Sequence, residues 1–268
     1  MSDLNPVRLL RRLLSLPNDS TVKTLGMAFA VSAVCALVVS VAAVMLRPLQ
    51  EANRAAQQQA RLEEVVTTLP GVDAGGVPPG AGKMETLVVD LATGLKAPGV
   101  DPAKFDMRTA AAAEETSTPI AADADFARIG RRPNLARIHV LRSPQRLELV
   151  VLPIYGSGYQ STIHAFLTLR GDLNTVASLK IIEHGETPGL GAKIEDPAWQ
   201  QLWPGKQISD ASGEVRLSVV RGTGATVHEV DGITGATRTV RGVSNMLKFW
   251  LGENGYGPVL ENLRSGKL

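Results

Sequence analysis

The chain has 268 residues, with 28 Lys or Arg against 26 Asp or Glu and a single cysteine. One cysteine excludes an intramolecular disulfide, a zinc knuckle and an iron–sulfur cluster, which takes about four thiolates. The near-neutral charge offers no basic stripe and only 4% of the residues are aromatic, so nucleic acid is not expected to bind. Any redox centre in this chain is therefore expected to be organic.

The first predicted element is a transmembrane helix over residues 25–46. Its 22 residues carry no charge, and at about 1.5 Å per residue they extend roughly 33 Å, enough to cross a bilayer. Cys35 lies inside this span and is expected to act as a small apolar side chain. A cleaved signal peptide is the alternative, because Ser40-Val41-Ala42 has the small residues of a cleavage site. The apolar core of such peptides is usually shorter, about 7–15 residues.

The charge around the span favours a cytoplasmic N-terminus, but only slightly. The basic residues before it are Arg8, Arg11, Arg12 and Lys23, and those that follow closely are Arg47, Arg54 and Arg61. Residues 1–24 are therefore predicted to be a cytoplasmic basic tail, with the bulk of the chain outside the cytoplasm. When the four basic and two acidic residues of this tail are set aside, 24 of each sign remain, so the outer part is neutral.

Residues 47–136 are predicted to hold an exposed helix, a linker and the first part of the soluble domain. Residues 51–69 are rich in Ala, Gln, Glu and Arg but lack a wide apolar face, as in a solvated helix. Residues 71–82 contain two Pro and several Gly, which indicates a flexible linker. A candidate strand follows at 84–91, and residues 109–125 are expected to form a short helix and then a loop.

Residues 137–268 are predicted to form one domain of the α+β class, an antiparallel sheet with flanking helices. The predicted strands are rich in branched and apolar residues; they are 138–141, 147–155, 162–169 and 176–183, with shorter strands at 215–220 and 226–230. Helices are predicted at 194–203, 234–251 and 259–263. His139 and His164 fall within strands and lack a partner at ligand spacing, so they are expected to be packed side chains rather than metal ligands.

The most informative stretch is 231–239, which contains the sequence Thr-Gly-Ala-Thr at 234–237. It directly precedes apolar residues at helical spacing, so it is expected to be a helix N-terminus. Free N–H groups and a partial positive charge there favour a phosphate by roughly 0.3–1 kcal/mol. The Gly and Ala leave room for a bulky ligand near the backbone. The alternative is an ordinary helix cap, with Thr234 as the N-cap and Thr237 on the surface.

The chain contains a second copy of these four letters at 223–226. The residue six positions before the last Thr is Val220 in this copy, whereas it is Asp231 in the copy at 234–237. No clear amphipathic helix follows the second copy. Thr226 is therefore expected to begin a short strand, and the acid at fixed spacing distinguishes the other copy.

A second informative stretch is the loop 184–193, which carries an acid, a hydroxyl, one Pro and three Gly after a predicted strand. Such a loop is suited to bringing backbone close to a planar ligand. A plain Gly/Pro loop is the alternative.

The acid, the Thr-Gly-Ala-Thr run and their spacing resemble the flavinylation motif of the FMN-binding domain family. In that family a separate flavin transferase joins FMN, through its phosphate, to the last hydroxyl of the motif, which here is Thr237. Together with Glu-Thr-Pro-Gly-Leu-Gly at 186–191 and the segment 152–158, the motif resembles the branch formed by the C subunits of Na⁺-translocating NADH:quinone oxidoreductases. This chain has Tyr159 and Gln160 where a bulky apolar residue or Trp is expected, and Thr234 where Ser is usual.

This resemblance implies a membrane-anchored flavoprotein subunit, not catalytic alone, that relays electrons from NADH toward ubiquinone within a Na⁺-pumping complex. It implies FMN held as a phosphoester on Thr237, and as partners the other subunits of the complex, the flavin transferase and the membrane. The implied location is a bacterial inner membrane, with the FMN domain in the periplasm. Two rivals remain: the related G subunit of the Rnf complex, and a membrane-anchored binding module without redox work.

The resemblance also assigns roles to individual residues. Thr237 is the covalent anchor, and N–H groups or clearance for the phosphate and ribityl chain come from Thr234, Gly235 and Ala236. The residues expected to line the isoalloxazine are Glu186, Thr187, Leu190 and Gly191, with Leu190 packed on the ring. Asp231 is expected to serve recognition by the transferase or to cap the local turn.

Overall fold

The structure, a computed structural model, describes residues 15, 17, 20–67 and 84–268, and between 48 and 67 it describes the backbone alone. The chain divides into two compact units, Met1–Gln59 and Ala60–Leu268.

The N-terminal helix, α1, runs without a break from Thr21 to Thr67. Its portion Thr21–Arg47 is long and apolar enough to cross a membrane, and the most apolar part of it is not buried in the protein. This confirms the apolar helix predicted at 25–46. The same helix continues through most of the one predicted at 51–69. The predicted linker at 71–82 and most of the predicted basic tail lie outside the described residues.

The remaining elements follow in an α+β order. The strands are β1 Glu85–Asp90, β2 Ser117–Pro119, β3 Arg131–Pro133, β4 Leu135–Arg142, β5 Leu147–Ser157, β6 Thr162–Arg170, β7 Val176–Glu183, β8 Ser218–Val219 and β9 Glu229–Val230. The helices are α2 Met107–Ala112, α3 Pro197–Gln200, α4 Thr237–Leu251 and α5 Gly257–Arg264, with 3₁₀ turns at Glu114–Thr116 and Gly191–Glu195.

The core of the larger unit is a five-stranded antiparallel sheet in the order β1, β4, β5, β6, β7. The four strands predicted between residues 138 and 183 are present with nearly the predicted bounds, and most of their branched and apolar residues are buried. β1 pairs with β4 from Glu85 opposite Val140 to Asp90 opposite Leu135. The domain boundary proposed at residue 137 therefore falls inside β4.

The end of β5 is held by side chains where β4 no longer accompanies it. β4 pairs with β5 only as far as Val151, but β5 continues to Ser157. Beyond that point Tyr256 donates its hydroxyl to the carbonyl of Pro153 at 2.7 Å, and Trp250 donates its indole N–H to the carbonyl of Tyr155 at 2.6 Å. Both rings are fully buried. These bonds anchor α4 and the turn after it to the strand that leads into the candidate site.

Residues 109–125 are more ordered than the predicted helix and loop. The side chain of Asp106 caps α2 by accepting from the Thr109 N–H at 2.7 Å, and β2 pairs with β3 as a small second sheet. Arg131 secures this pairing, since its Nε donates to Ser117 Oγ at 2.8 Å. Strands of three residues are too short for an alternating pattern, so the sequence did not reveal them.

The helix predicted at 194–203 is wrong over most of its length. It is replaced by the 3₁₀ turn and the four-residue α3, which Asp196 caps by accepting from the Ala198 N–H at 2.9 Å. Pro204 disfavours helical backbone in the residue before it, which limits α3 on its other side. Trp199 and Trp203 are still a buried pair, with ring centres 5.3 Å apart.

The strands predicted at 215–220 and 226–230 are also shorter than expected. They are the two-residue strands β8 and β9, which pair in parallel. Helix α5 contains the short helix predicted at 259–263.

Both strand histidines are packed side chains, as expected. His139 is buried, with its Nδ1 3.0 Å from Thr86 Oγ1. Burial, and after it the positive charge of Arg137, lowers the pKa of His139 to about 4. His164 stacks on Tyr155, and burial lowers its pKa to about 4 as well.

Candidate functional site

Helix α4 begins at Thr237, three residues later than predicted. Gly235 has a φ of +81°, a conformation that glycine adopts without strain, and the turn there makes Ala236 the N-cap. No side chain caps this helix, so the alternative in which Thr234 is the N-cap is wrong. Thr234, Gly235 and Thr237 are exposed, whereas Ala236 is buried.

The first turn of α4 can receive an anion. Among the described residues, no acceptor faces the backbone N–H groups of Thr237, Arg238 and Thr239. The turn also contains no acidic residue. Free N–H groups and the positive end of the helix dipole favour a phosphate at this position.

The structure brings the two predicted motifs together. A Cβ added at Gly235 would lie 3.0 Å from Leu190 Cδ2, so the side chain of Leu190 packs directly over the turn before Thr237. The loop that carries Leu190 is folded on itself, since the carbonyl of Thr187 accepts from the N–H groups of Leu190 and Ala192, each at 3.1 Å. Leu190 is 45% exposed, so its side chain offers apolar surface near the exposed residue Thr237.

Glu186 and Gly191 lie beneath this surface. Glu186 is only 4% exposed, and its carboxylate accepts hydrogen bonds from residues 159–161 and from Thr239. Gly191 is buried beside it, where a Cβ would lie 2.6 Å from Thr239 Oγ1. A contact of Glu186 or Gly191 with a flavin ring stays a prediction.

Two residues near Thr237 were not identified from the sequence as site residues. Tyr159 is 50% exposed, and the guanidinium of Arg238 lies 5.1 Å from the centre of its ring. Leu190 therefore contacts the motif on one side of Thr237, at Gly235, and Tyr159 contacts it on the other, at Arg238. The turn that holds Tyr159 is about 80 residues away in the sequence, and no spacing pattern links the two.

Asp231 is bonded to the second copy of the motif. Its Oδ1 accepts from the N–H of Gly224 at 2.9 Å, and its carbonyl accepts from the indole N–H of Trp199 at 2.9 Å. Thr226 is exposed in the loop before β9 and does not begin a helix. Asp231 thus organises the turns that precede Thr237, in keeping with the capping role given as one of its two expected roles.

The residues present fit an FMN attached at Thr237. The acceptor hydroxyl is exposed, the adjacent N–H groups are free for a phosphate, and Gly235 leaves the backbone bare where a side chain would meet Leu190. The exposed side chains of Leu190 and Tyr159 offer apolar surface to a planar ring.

Comparison with known proteins places this geometry in a family. The profile of the FMN-binding domain matches residues 158–252, a range that includes Tyr159, the loop 184–193 and α4. The C subunit of the Na(+)-translocating NADH-quinone reductase of Vibrio parahaemolyticus is 39% identical over 260 residues, which are 94% of this chain and 98% of that protein. The corresponding protein of Pseudomonas aeruginosa is 37% identical over 263 residues, 93% of this chain and 98% of its own.

Solved structures agree with the sequence relatives. The crystal structure of Shewanella oneidensis NqrC has a TM-score of 0.69 and 33% identity, and it covers 78% of this chain and 99% of its own. That of the C subunit from Parabacteroides distasonis has a TM-score of 0.50 and 27% identity, and it covers 66% of this chain and 77% of its own. These matches do not favour the Rnf-type or non-redox alternatives. The chain has an N-terminal apolar helix and an FMN-binding domain, and it belongs to the family of C subunits of Na⁺-translocating NADH-quinone reductases.

Proposed function

We propose that this chain is the membrane-anchored flavoprotein subunit that passes electrons from NADH toward ubiquinone inside a Na⁺-pumping complex, and that it carries FMN as a phosphoester on Thr237. The observation that best supports this proposal is the position of Thr237. Thr237 is exposed and is the first residue of α4, whose first N–H groups have no acceptor in the described part of the chain. Leu190 packs on Gly235 on one side of Thr237, and on the other side Arg238 lies over the ring of Tyr159.

Each site residue has its own part in binding the cofactor. Thr237 is the anchor, and the N–H groups of the first turn of α4 receive the phosphate. Thr234, Gly235 and Ala236 form the turn along which the ribityl chain lies, while Leu190, with Thr187 and Gly191 of the same loop, borders the isoalloxazine. Bound there, FMN supplies the ability to accept and donate electrons one at a time.

Attachment needs a partner enzyme. The new bond joins Thr237 Oγ to the phosphorus of FMN, the hydroxyl proton is lost, and the donor's leaving group departs with its electron pair. A flavin transferase supplies this chemistry with a donor that holds the FMN phosphate in a phosphoanhydride, because cleavage of that bond releases the second phosphate group as the leaving group.

The tether suits a site outside the cytoplasm. We place the N-terminus in the cytoplasm and the FMN domain in the periplasm of a bacterial inner membrane, where a dissociated FMN is lost to the cell. A covalent link keeps the cofactor at a high effective concentration whatever the strength of its noncovalent contacts. Electrons then enter from and leave to the other subunits of the complex.

The second copy of the motif provides a matched control for the attachment site. The full chain is expressed together with a flavin transferase, and covalent flavin is read as fluorescence of the band on a denaturing gel. Wild type and Thr226→Ala are expected to fluoresce equally, and Thr237→Ala is expected to be dark. Thr237→Ser keeps the hydroxyl and is expected to retain fluorescence. A fluorescent Thr237→Ala band, or a dark wild-type band beside an active transferase, contradicts the proposal.

A further inference from the structure

We propose that Glu186 is a positioning residue for the flavin acceptor: its buried carboxylate fastens the first turn of α4 to the turn at 159–161, and so sets the place from which Thr237 is presented. This inference rests on the proposed function, because it assigns Glu186 a part in the attachment of FMN. It replaces the predicted contact between the side chain of Glu186 and the flavin ring.

The carboxylate of Glu186 joins two segments that are distant in sequence. Oε1 accepts from the backbone N–H groups of Gln160 at 3.0 Å, Tyr159 at 3.1 Å and Ser161 at 3.2 Å. Oε2 accepts from Thr239 Oγ1 at 2.5 Å. Thr239 is itself 2% exposed and lies two residues after Thr237, within the same helical turn. We call Glu186, the 159–161 turn and Thr239 the acceptor lock.

The charge of Glu186 is stabilised by these donors and not by a basic side chain among the described residues. Burial raises the pKa of Glu186, but the hydrogen bonds from Thr239 and from Gln160, Tyr159 and Ser161 outweigh burial, so the pKa is lowered overall. The group is therefore ionised at neutral pH and can only accept hydrogen bonds. The hydroxyl of Thr239 consequently donates to it, which fixes that hydroxyl toward the lock.

Two glycines make room for this carboxylate. A Cβ at Gly158 would lie 2.5 Å from Glu186 Oε1, and a Cβ at Gly191 would lie 2.9 Å from Oε2 and 2.6 Å from Thr239 Oγ1. Any larger residue at either position displaces the carboxylate or Thr239. The last glycine of the loop 184–193 therefore serves the lock, while Leu190 beside it faces solvent.

The lock connects both contacts that flank Thr237. Its N–H donors come from the turn whose Tyr159 lies under Arg238, and its acceptor comes from the loop whose Leu190 packs on Gly235. Loss of the lock removes the hydrogen bonds that tie the 159–161 turn to Thr239, so the contacts on both sides of Thr237 lose this shared support.

The lock is tested without flavin by hydrogen exchange of the full chain, purified from cells that lack the transferase. In Glu186→Gln the carboxylate becomes a neutral amide, whose single oxygen is a weaker acceptor for the three backbone N–H groups and whose NH₂ group cannot accept from Thr239. The amides of Tyr159, Gln160 and Ser161 are expected to exchange roughly tenfold faster or more, since bonds to a charged group are among the stronger ones. Glu253→Gln, an exposed residue in the turn after α4, is the control and is expected to leave these amides unchanged. Equal protection in wild type and Glu186→Gln overturns the lock.

The effect on attachment is tested with two variants of Thr239, one that removes its hydroxyl donor and one that keeps it. With transferase added, and at equal far-ultraviolet circular dichroism, Thr239→Val is expected to take up covalent flavin roughly tenfold more slowly than wild type. Thr239→Ser keeps the donor and is expected to restore the rate. Equal rates for Thr239→Val and wild type overturn the positioning role. A wild-type chain that takes up no flavin instead contradicts the proposed function, and the exchange experiment then decides the lock alone.

Discussion

At the scale of single residues, chemistry identified the acceptor but not its surroundings. The sequence separates Thr237 from Thr226 because an acid stands six residues before only one of them. The structure adds that this acid, Asp231, bonds to Gly224 inside the second copy of the motif. The proximity of Leu190 and Gly235 was foreseen only through the resemblance, and that of Tyr159 and Arg238 not at all, because contacts between distant loops leave no periodic pattern.

Leu190 provides a residue-scale prediction about the flavin. Leu190→Asp places a negative charge where the ring is proposed to lie, so the midpoint potential of the bound flavin is expected to fall by a free energy of about 1 kcal/mol per electron. Redox titration of the flavinylated chain measures this shift. Val227→Asp changes an exposed apolar residue directly after the second copy of the motif. It is the control and is expected to leave the midpoint potential unchanged. A potential that is equal in the two variants places the ring away from Leu190.

At the scale of elements, the predictable parts are those with several residues in one pattern. β5 and β6 were found because branched and apolar residues recur over nine or more positions. The start of α4 was misplaced because Gly235 adopts a positive φ and delays the helix by three residues, a choice that composition does not reveal. α3 fell short of its prediction because Pro197 takes its first position and Pro204 follows soon after its end.

Tyr256 provides the element-scale prediction. Tyr256→Phe removes only the hydroxyl that donates to the carbonyl of Pro153, where β4 no longer accompanies β5. A buried carbonyl left without its donor costs roughly 1–3 kcal/mol, so the free energy of unfolding is expected to fall by that amount in chemical denaturation. Tyr159→Phe, half exposed, is expected to change it by less than about 0.5 kcal/mol. Equal stability of the two variants argues against the role of Tyr256 as an anchor of β5.

At the scale of the whole molecule, the chain combines an N-terminal apolar helix with a following part whose charges balance. The apolar helix and the α+β class of the fold were predictable from composition and periodicity, and the structure contains both. The charges favour a cytoplasmic N-terminus only slightly, since four basic residues precede the span and three follow it closely.

Reporter fusions test the proposed orientation. Alkaline phosphatase fused after Leu268 is expected to be active, because it folds outside the cytoplasm, and a fluorescent protein at the same position, which matures inside, is expected to be dark. The reverse pattern places the FMN domain in the cytoplasm and removes the reason given for a covalent tether.

The most direct test of the proposed attachment is peptide mapping by mass spectrometry of the chain isolated from its native membrane. The peptide containing Thr237 is predicted to carry the mass of FMN joined as a phosphoester, and the peptide containing Thr226 is predicted to be unmodified. An unmodified Thr237 in cells with an active flavin transferase would contradict the flavoprotein function proposed for this chain.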